Sequence, residues 1–483
     1  MSSVSEATID FNDFLAMVFR TVCNIGCEYV SEMLQQWDNM LAKSRDKNIY
    51  RNVGIRVSSI KTPMGEITYS RRYYRKTDPI TQKTEYVFLL DEYLGLDQMA
   101  GKCCEALAEL ATHQFMNTSC RKSARAITES TNITLSHAGV CNLFKATAGK
   151  FQKRVEQLAE LDKEGKLAGE IQSRVLFTEN DGVWISMQGA DRPKGNGKRE
   201  LKVATAYTGW RKIGPKHYET VNKTAYASFE SPADFKNSSQ TIFTAAFDMD
   251  GVERIIASSD AGGWCETLNE DADIDQLDPF HRSQAIIRNL PDKNHRQIVQ
   301  ELLGKKDIKT MLSYIEALTN TLEDPREVNK AKALLSYFTN NRDRLLTWEE
   351  RGIELPEPPE GIVYRSLGVQ EHSNASIICS RMKHHGASWT REGGQRMALM
   401  LSLRVHGGDP EWINDNRPIR KEAATVYPQP ISSAKAPEHD GQGYEGGLRR
   451  GGWPYAGAST TIGRKRIREI FEQRPISMIR YQG

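Results

Sequence analysis

Apolar side chains recur at helical spacing through Phe14, Val18, Val22, Tyr29, Val30, Met33, Trp37 and Leu41, so residues 11–43 are predicted to form one long amphipathic helix. Such a helix packs on its own protein or on a sister subunit. Alternation then replaces the helical period. Residues 52–60, 65–75 and 84–91 read as three short strands, parted by the turn residues Pro63, Gly65, Asp78 and Pro79. The middle strand, EITYSRRYYRK, places Tyr69, Arg71 and Tyr73 on one face and Arg72 and Tyr74 on the other. Interleaved Arg and Tyr suit a grip on a phosphate backbone, and equally an ordinary exposed sheet with snorkelling arginines.

Residues 97–148 read as helices. A helix over 121–130 turns Ala124 and Ile127 inward, and Thr131 and Asn132 form a short polar turn. A second helix opens near Ser136, a good N-cap, and buries Val140, Leu143 and Phe144. The pattern fits a helix-turn-helix whose second helix would present His137, Asn142 and Lys145 to a major groove. It also fits any two packed helices. A charged helix or linker follows over 149–172.

Beyond it the texture becomes β-rich. RVLFTENDGVWISMQG, ELKVATAYTGW and TAYASFE read as strands, 231–249 as a helix and VERIIASSD as a further strand. A basic loop with Lys194 and Lys198 joins the first two strands. From His281 to about Glu350 the pattern is helical throughout, and LPEPPEG then breaks the chain. IVYRSLG reads as a last short strand and 370–383 as helix. The whole reads as an α/β domain carrying an all-helical insertion.

Length and composition narrow the class. A chain of 483 residues is long enough for two to four folded units. Hydrophobic residues at 39% and charged residues at 26% allow an ordinary core and argue against wholesale disorder. No apolar run nears the roughly 20 residues of a membrane span. The N-terminus has no basic stretch before an apolar core, so a secretory signal is not expected, and the location expected is cytoplasmic, at the nucleoid when DNA is bound. Eight scattered cysteines without a C-x2-C pair suit reduced thiols. Net charge is only +3, so a case for nucleic acid must rest on local clusters. One such cluster is the basic tail from Tyr444, with Arg464 and Arg466.

Several chemistries are excluded. GNGK at 195–198 has Arg192 where a phosphate loop needs its first glycine, and neither H-E-x-x-H nor G-x-S-x-G occurs. Carboxylates at strand ends remain. Asp181 lies within a strand before Gly182, Asp260 follows ERIIASS, and Glu371 begins the helix after IVYRSLG. Hard divalent cations take oxygen ligands, and two of them held roughly 4 Å apart can serve an in-line displacement at phosphorus. Two Asp on neighbouring strands and one Glu on a facing helix can meet at such a point. Among 62 acidic residues, that spacing alone is a weak selection.

Ordered blocks select more sharply. GEITYSRRYY with YVFLLDEYLGL, then ENDGVWISMQ, ELKVATAYTGW, ASSDAGGW, LDPFH at 277–281 and EHSNASIICSRMKHHGASWTREGGQRMA together resemble a bacterial insertion-sequence transposase of the group related to the Mutator-like DDE superfamily. The likeness covers most of residues 60–400. It implies an RNase H-like core with an α-helical insertion between the second Asp and the Glu. It implies catalysis by Asp181, Asp260 and Glu371 holding two divalent ions, Mg²⁺ or Mn²⁺. Asp278 and His281 match the L-D-x-F-H block and would support the site. Trp264 and Trp389 would be structural or touch DNA. Ala261 and Asn180 depart from the group, which has Gly and a small apolar residue there.

The expected organisation is therefore a long helix and β-meander over 1–96, a helix-turn-helix-like region over 97–150, an RNase H-like core over 171–280 and 359–405, an all-α insertion over 281–358, and a basic tail over 406–483. The expected partners are double-stranded DNA, both element end and target, with Arg71, Arg72, His137, Asn142, Lys145, Lys194, Lys198, Arg464 and Arg466 as contacts, and further copies of the chain, at least a dimer. A regulator that binds DNA without cutting and a structure-specific nuclease fit the same residues.

Overall fold

The computed structural model describes residues 10–405, 408–410 and 413. Arg464 and Arg466 lie outside them. The chain divides into two compact units after Thr147. Both are mixed α/β, and no described helix is long and apolar enough to cross a membrane.

In the first unit, Asp10 caps α1 (Phe11–Ser44), its carboxylate accepting from Asn12 N. Strands β1 (Tyr50–Thr62), β2 (Gly65–Thr77) and β3 (Thr84–Val87) form an antiparallel meander. The third strand is shorter than predicted. Its apolar continuation becomes α2 (Leu89–Leu94), which stops at Gly95 in the left-handed conformation. Leu34, Ile60, Ile67, Tyr69 and Leu90 make the core of this layer. Short 3-10 turns precede α3 (Glu105–Asn117), where helix was predicted from residue 97.

Helix α4 (Cys120–Ser130) and α5 (His137–Lys163) follow, capped by Ser119 and Ser136. Ala124, Ile127, Val140, Leu143 and Phe144 are buried as the periodicity predicts. Where a separate charged helix or linker over 149–172 was predicted, α5 runs on unbroken. Phe144, Ala148, Phe151, Val155 and Leu158 continue one buried stripe, and nothing breaks the helix before Gly165.

The second unit is built on β4 (Val175–Ser186) and β5 (Lys198–Tyr207), an antiparallel pair. The short strands β6 (Trp210–Lys212) and β7 (Tyr218–Thr220) leave this sheet, and β8 (Thr224–Ser228) returns to it beside β5. Helix α6 (Pro232–Ala246) leads to β9 (Arg254–Ser259), which lies parallel to β4. Helix α7 (Gly263–Asn269) then connects to β10 (Ile274–Leu277), parallel to β9. The strand order is β10-β9-β4-β5-β8. Strand β10 is one that the hydrophobic pattern did not single out.

Four helices follow: α8 (Pro279–Asn289), α9 (Lys293–Gly304), α10 (Ile308–Thr321) and α11 (Pro325–Asn340). Asp278, Asp292, Asp307 and Asp324 cap them in turn, each accepting a backbone N–H. The helices bury a core of their own around Ile286, Val299, Met311, Ile315, Leu334 and Phe338. The block is tied back to the sheet by Arg344, which pairs with Asp275 at 2.7 Å and donates to Ser259 Oγ. The predicted strand IVYRSLG gives only β11 (Ile362–Val363). It pairs with β6 in a separate small sheet rather than with the main one.

The chain then enters α12 (Gln370–Ser373), continues as a π-helix over Asn374–Cys379 and ends in the turn α13 (Ser380–Met382). Helix α14 (Arg391–Leu403) closes the unit against β8.

Candidate metal centre

Strand alternation puts Phe177, Glu179, Asp181 and Val183 on one face of β4. The parallel register pairs Asn180 with Ser259, so Asp181 and Asp260 occupy the next positions of neighbouring chain segments. Asp181 is buried. It meets His281, from the first turn of α8, and Glu371, from α12. One donor atom from each of these three residues lies within 4.8 Å of the others. His281 Nε2 stands 3.8 Å from Glu371 Oε1.

Asp260 stands outside this trio. Its Oδ1 accepts from Gly262 N at 2.9 Å and from the Cys265 thiol at 3.2 Å. Its charge nonetheless acts on Asp181. Burial pushes the Asp181 carboxyl up to about 7; His281 opposes the rise, Asp260 adds to it, the Gly182 N–H opposes it and Glu371 adds to it. Burial, then the Asp260 charge, push the Cys265 thiol far above its usual range, so it remains a donor.

A second layer fixes these groups. Asn374 Nδ2 donates to Asp181 Oδ2 at 2.6 Å, and Gln370 Nε2 donates to Asn374 Oδ1 at 3.1 Å. Glu179 is fully buried and accepts from Val369 N and Gln370 N, both at 2.9 Å, from Gly368 N at 3.3 Å, and from the Tyr207 hydroxyl. It thereby closes the N-terminal end of the helix that carries Glu371. Burial pushes the Glu179 carboxyl up, and the Tyr207 and backbone hydrogen bonds oppose it. A Cβ at Gly182 would sit 2.2 Å from Glu200 Oε1, so a side chain there would push aside the carboxylate that accepts from Trp264 Nε1.

The donor set fits a hard divalent cation. Two carboxylates and an imidazole converge, a third carboxylate stands beside them, and one of these acids is held away from water with like charges for neighbours. The π-helical stretch begins three residues after Glu371, at Asn374, and turns within α-helices of this kind gather at functional sites. A match to the uncharacterised protein family UPF0236 spans residues 5–415 and takes in every residue of this centre.

The chain belongs to UPF0236. Among its relatives is the UPF0236 protein in the vanSb 3' region of Streptococcus gallolyticus, 23% identical over 379 residues, 75% of this chain and 76% of that protein. Two more come from Caldanaerobacter subterraneus subsp. tengcongensis. One is 20% identical over 415 residues, 83% of this chain and 80% of that protein. The other is 18% identical over 412 residues, 83% and 79%, and its name joins eleven locus designations.

The remaining predicted residues of this UPF0236 chain divide into three groups. Asp278 is buried and caps α8 through Phe280 N at 2.7 Å, which sets the first turn that presents His281. Asn180 donates to Asn269, which also bonds Ser259 and Asp275, so its amide joins β4 to the β9–β10 pair. Ala261 packs on the core of the helical block. Trp389 is buried and donates to Met382 O, a structural role, and Trp264 packs edge-on against Phe235.

His137, Asn142, Lys145, Lys194 and Lys198 are exposed, as a contact residue must be. Arg71 and Arg72 are not available in this way, which corrects the reading of β2 as an open Arg/Tyr surface. Arg71 pairs with Asp91 at 2.7 Å and lies over Phe88, and Arg72 bonds the buried Asp38 and Asn39. Their partners lie far away in sequence, so the alternation could not reveal them. Glu179 and Asn374 were missed as well. Glu179 had a signal in the sequence: it stands two residues before Asp181 in a strand, hence on the same face.

Proposed function

We propose that this UPF0236 protein is a metal-dependent DNA transposase whose catalytic carboxylates are Asp181, Asp260 and Glu371. The observation that carries the reading is the convergence of Asp181, His281 and Glu371 within 4.8 Å, with Asp260 next to Asp181 in the parallel register. The sequence offers 62 acids. Two of the three acids that the transposase resemblance selects, Asp181 and Glu371, are among the residues that converge, and the third, Asp260, follows the strand beside that of Asp181.

The fold supports an RNase H-like core. One Asp lies on a central strand, the second ends the parallel strand beside it, and the Glu comes from a later helix. Four helices with their own core stand between the second Asp and the Glu. Helices α4 and α5 support the helix-turn-helix reading, with His137, Asn142 and Lys145 on the second helix as groove contacts. Lys194 in the loop after β4 and Lys198 at the start of β5, both exposed, suit phosphate contacts. The relative whose name joins eleven locus designations adds a further support, since a transposing element leaves copies of its own gene.

Two divalent ions of the Mg²⁺ or Mn²⁺ class would be held by Asp181, Asp260 and Glu371 and would activate the attacking oxygen and offset charge on the leaving one. The chain's own residues prepare that site. Glu179 fixes the helix of Glu371, Asn374 orients Asp181, and Asp278 sets the turn of His281. In the first step a water oxygen bonds to phosphorus at the element end, the P–O3′ bond breaks, and the 3′ oxygen takes up a proton. In the second step that 3′ oxygen bonds to a phosphorus of target DNA, displacing the target's own 3′ oxygen. Each step exchanges one P–O bond for another, so no covalent protein intermediate and no redox partner is required.

The test is to incubate the full chain with DNA from both flanks of its own gene and with target plasmid, in Mg²⁺ or in EDTA. Nicked ends and joined products in Mg²⁺ alone are expected. Cutting without joining identifies a nuclease, and binding without cutting identifies a regulator. Either result overturns the proposal.

A further inference from the structure

Helix α1 carries two apolar stripes. Cys27, Val30, Leu34, Trp37 and Leu41 pack on the core of the first unit. The other stripe is Phe11, Leu15, Val18, Val22, Ile25 and Tyr29, spaced four, three, four, three and four residues apart. At about 100° per residue the two stripes lie on the order of 120° apart around the helix. The second stripe therefore cannot share the partner of the first. Most of it is open to solvent: Phe11 is 67% exposed, Val22 61%, Tyr29 53% and Leu15 48%, while Val18 and Ile25 are half-buried. Phe14 and Phe19 flank it, and Phe19 is itself half exposed. Contiguous apolar surface on this scale marks an interaction site rather than ordinary surface.

We infer that the N-terminal half of α1 is a self-association surface, and that its occupant is α1 of a second copy of this chain. A four-three repeat is the seam of a coiled coil, and each knob of such a seam fits a hole formed by another seam of the same kind. The flanking positions are Asn12, Phe14, Phe19, Thr21, Gly26 and Glu28, so only one of them is charged. Nothing there repels an identical helix or selects one of opposite charge. The area points the same way. Phe11, Phe14, Phe19 and Tyr29 from each helix, covering about half of the roughly 150–250 Å² an aromatic can bury, give on the order of 600–1,000 Å², and Leu15, Val18, Val22 and Ile25 add to it, against the roughly 1,200 Å² at which specific interfaces begin. The inference rests on the helix alone and stands whether or not the chain cuts DNA.

Sedimentation equilibrium of the full chain across a concentration series tests it. The wild type is expected at twice the 54.6 kDa chain mass or above. Leu15→Glu with Val22→Glu, both exposed in the single chain and so harmless to its fold, is expected at the chain mass with an unchanged circular dichroism spectrum. A wild type that stays at the chain mass overturns the inference. So does an oligomer that survives both glutamates, because the copies then meet elsewhere.

Discussion

Asn374 Nδ2 donates to Asp181 Oδ2 at 2.6 Å, a single bond that ties the central strand of the main sheet to the helix carrying Glu371. Asn374 is itself held by Gln370, and Asp181 Oδ1 accepts from Gly182 N at 2.7 Å, so both the amide and the carboxylate have a fixed orientation. Asn374→Ala should weaken divalent-ion binding about 10–100-fold, the usual effect of losing a group that orients a ligand. It should cost roughly 1–3 kcal/mol of stability for a buried bond left unmade. Mn²⁺ titration followed by paramagnetic resonance, with urea unfolding alongside, measures both. An unchanged affinity would remove Asn374 from the account.

Glu179 should matter more to stability than any residue of the metal centre. Its carboxylate takes three backbone N–H groups and the Tyr207 hydroxyl, all in a fully buried position. Glu179→Gln turns an amide N–H₂ toward donors that have nowhere else to go. A loss of roughly 3 kcal/mol is expected in urea unfolding. DNA cleavage should fall while DNA binding by the helical region holds, because the helix of Glu371 loses its anchor.

Asp181 makes the stability depend on pH and on metal. Its folded pKa, about 7, stands above the ordinary carboxylate value of 3.8, so the folded protein holds a proton that the unfolded chain has released. The stability contributed by that proton is full below about 3.8 and is lost as pH rises through about 7. Above that point the ionised carboxyl opposes folding unless a cation offsets it. Mg²⁺ should therefore raise the melting temperature more at pH 8 than at pH 5.5, and Asp181→Asn should abolish the difference. Equal increments at the two pH values would contradict this account of Asp181.

The arginines of β2 lead to a prediction opposite to the one their sequence invites. Arg72 serves the buried Asp38, so Arg72→Ala strips that carboxylate of its guanidinium, leaves it only the backbone N–H of residue 72, and should cost roughly 3 kcal/mol. The salt dependence of DNA affinity should not change. Lys145→Ala should do the reverse, sparing stability and lowering the salt slope by about one counterion. Fluorescence anisotropy over a range of salt concentrations separates the two.

These contrasts show what the sequence could and could not reveal. Periodicity located α1, the α4–α5 pair, β4, β5 and the helical block, because each has a one-sided or continuous apolar pattern of its own. It put Asp181 within a strand, Asp260 just past one and Glu371 at the start of a helix, while their selection from 62 acids came from the family resemblance. It missed β10, whose IDQL is too short to show a period, and it read all of IVYRSLG as a strand when only Ile362 and Val363 pair, with β6. The ion pairs of Arg71 and Arg72, the π-helical turn at Asn374 and the approach of His281 to Glu371 depend on contacts between distant segments. No local pattern encodes them. Asp181 and Asp260 are adjacent only because β4 and β9 pair in parallel, a relationship 79 positions long in sequence.

The most direct test of the metal centre is DNA cleavage by three variants that leave the recognition helices intact: Asp181→Asn, Asp260→Asn and Glu371→Gln. Each should reduce Mg²⁺-dependent nicking of element-end DNA by at least about a thousandfold, the scale on which an essential group supports a displacement at phosphorus, while binding that DNA as the wild type does. Nicking that persists in any one of the three would contradict the assignment.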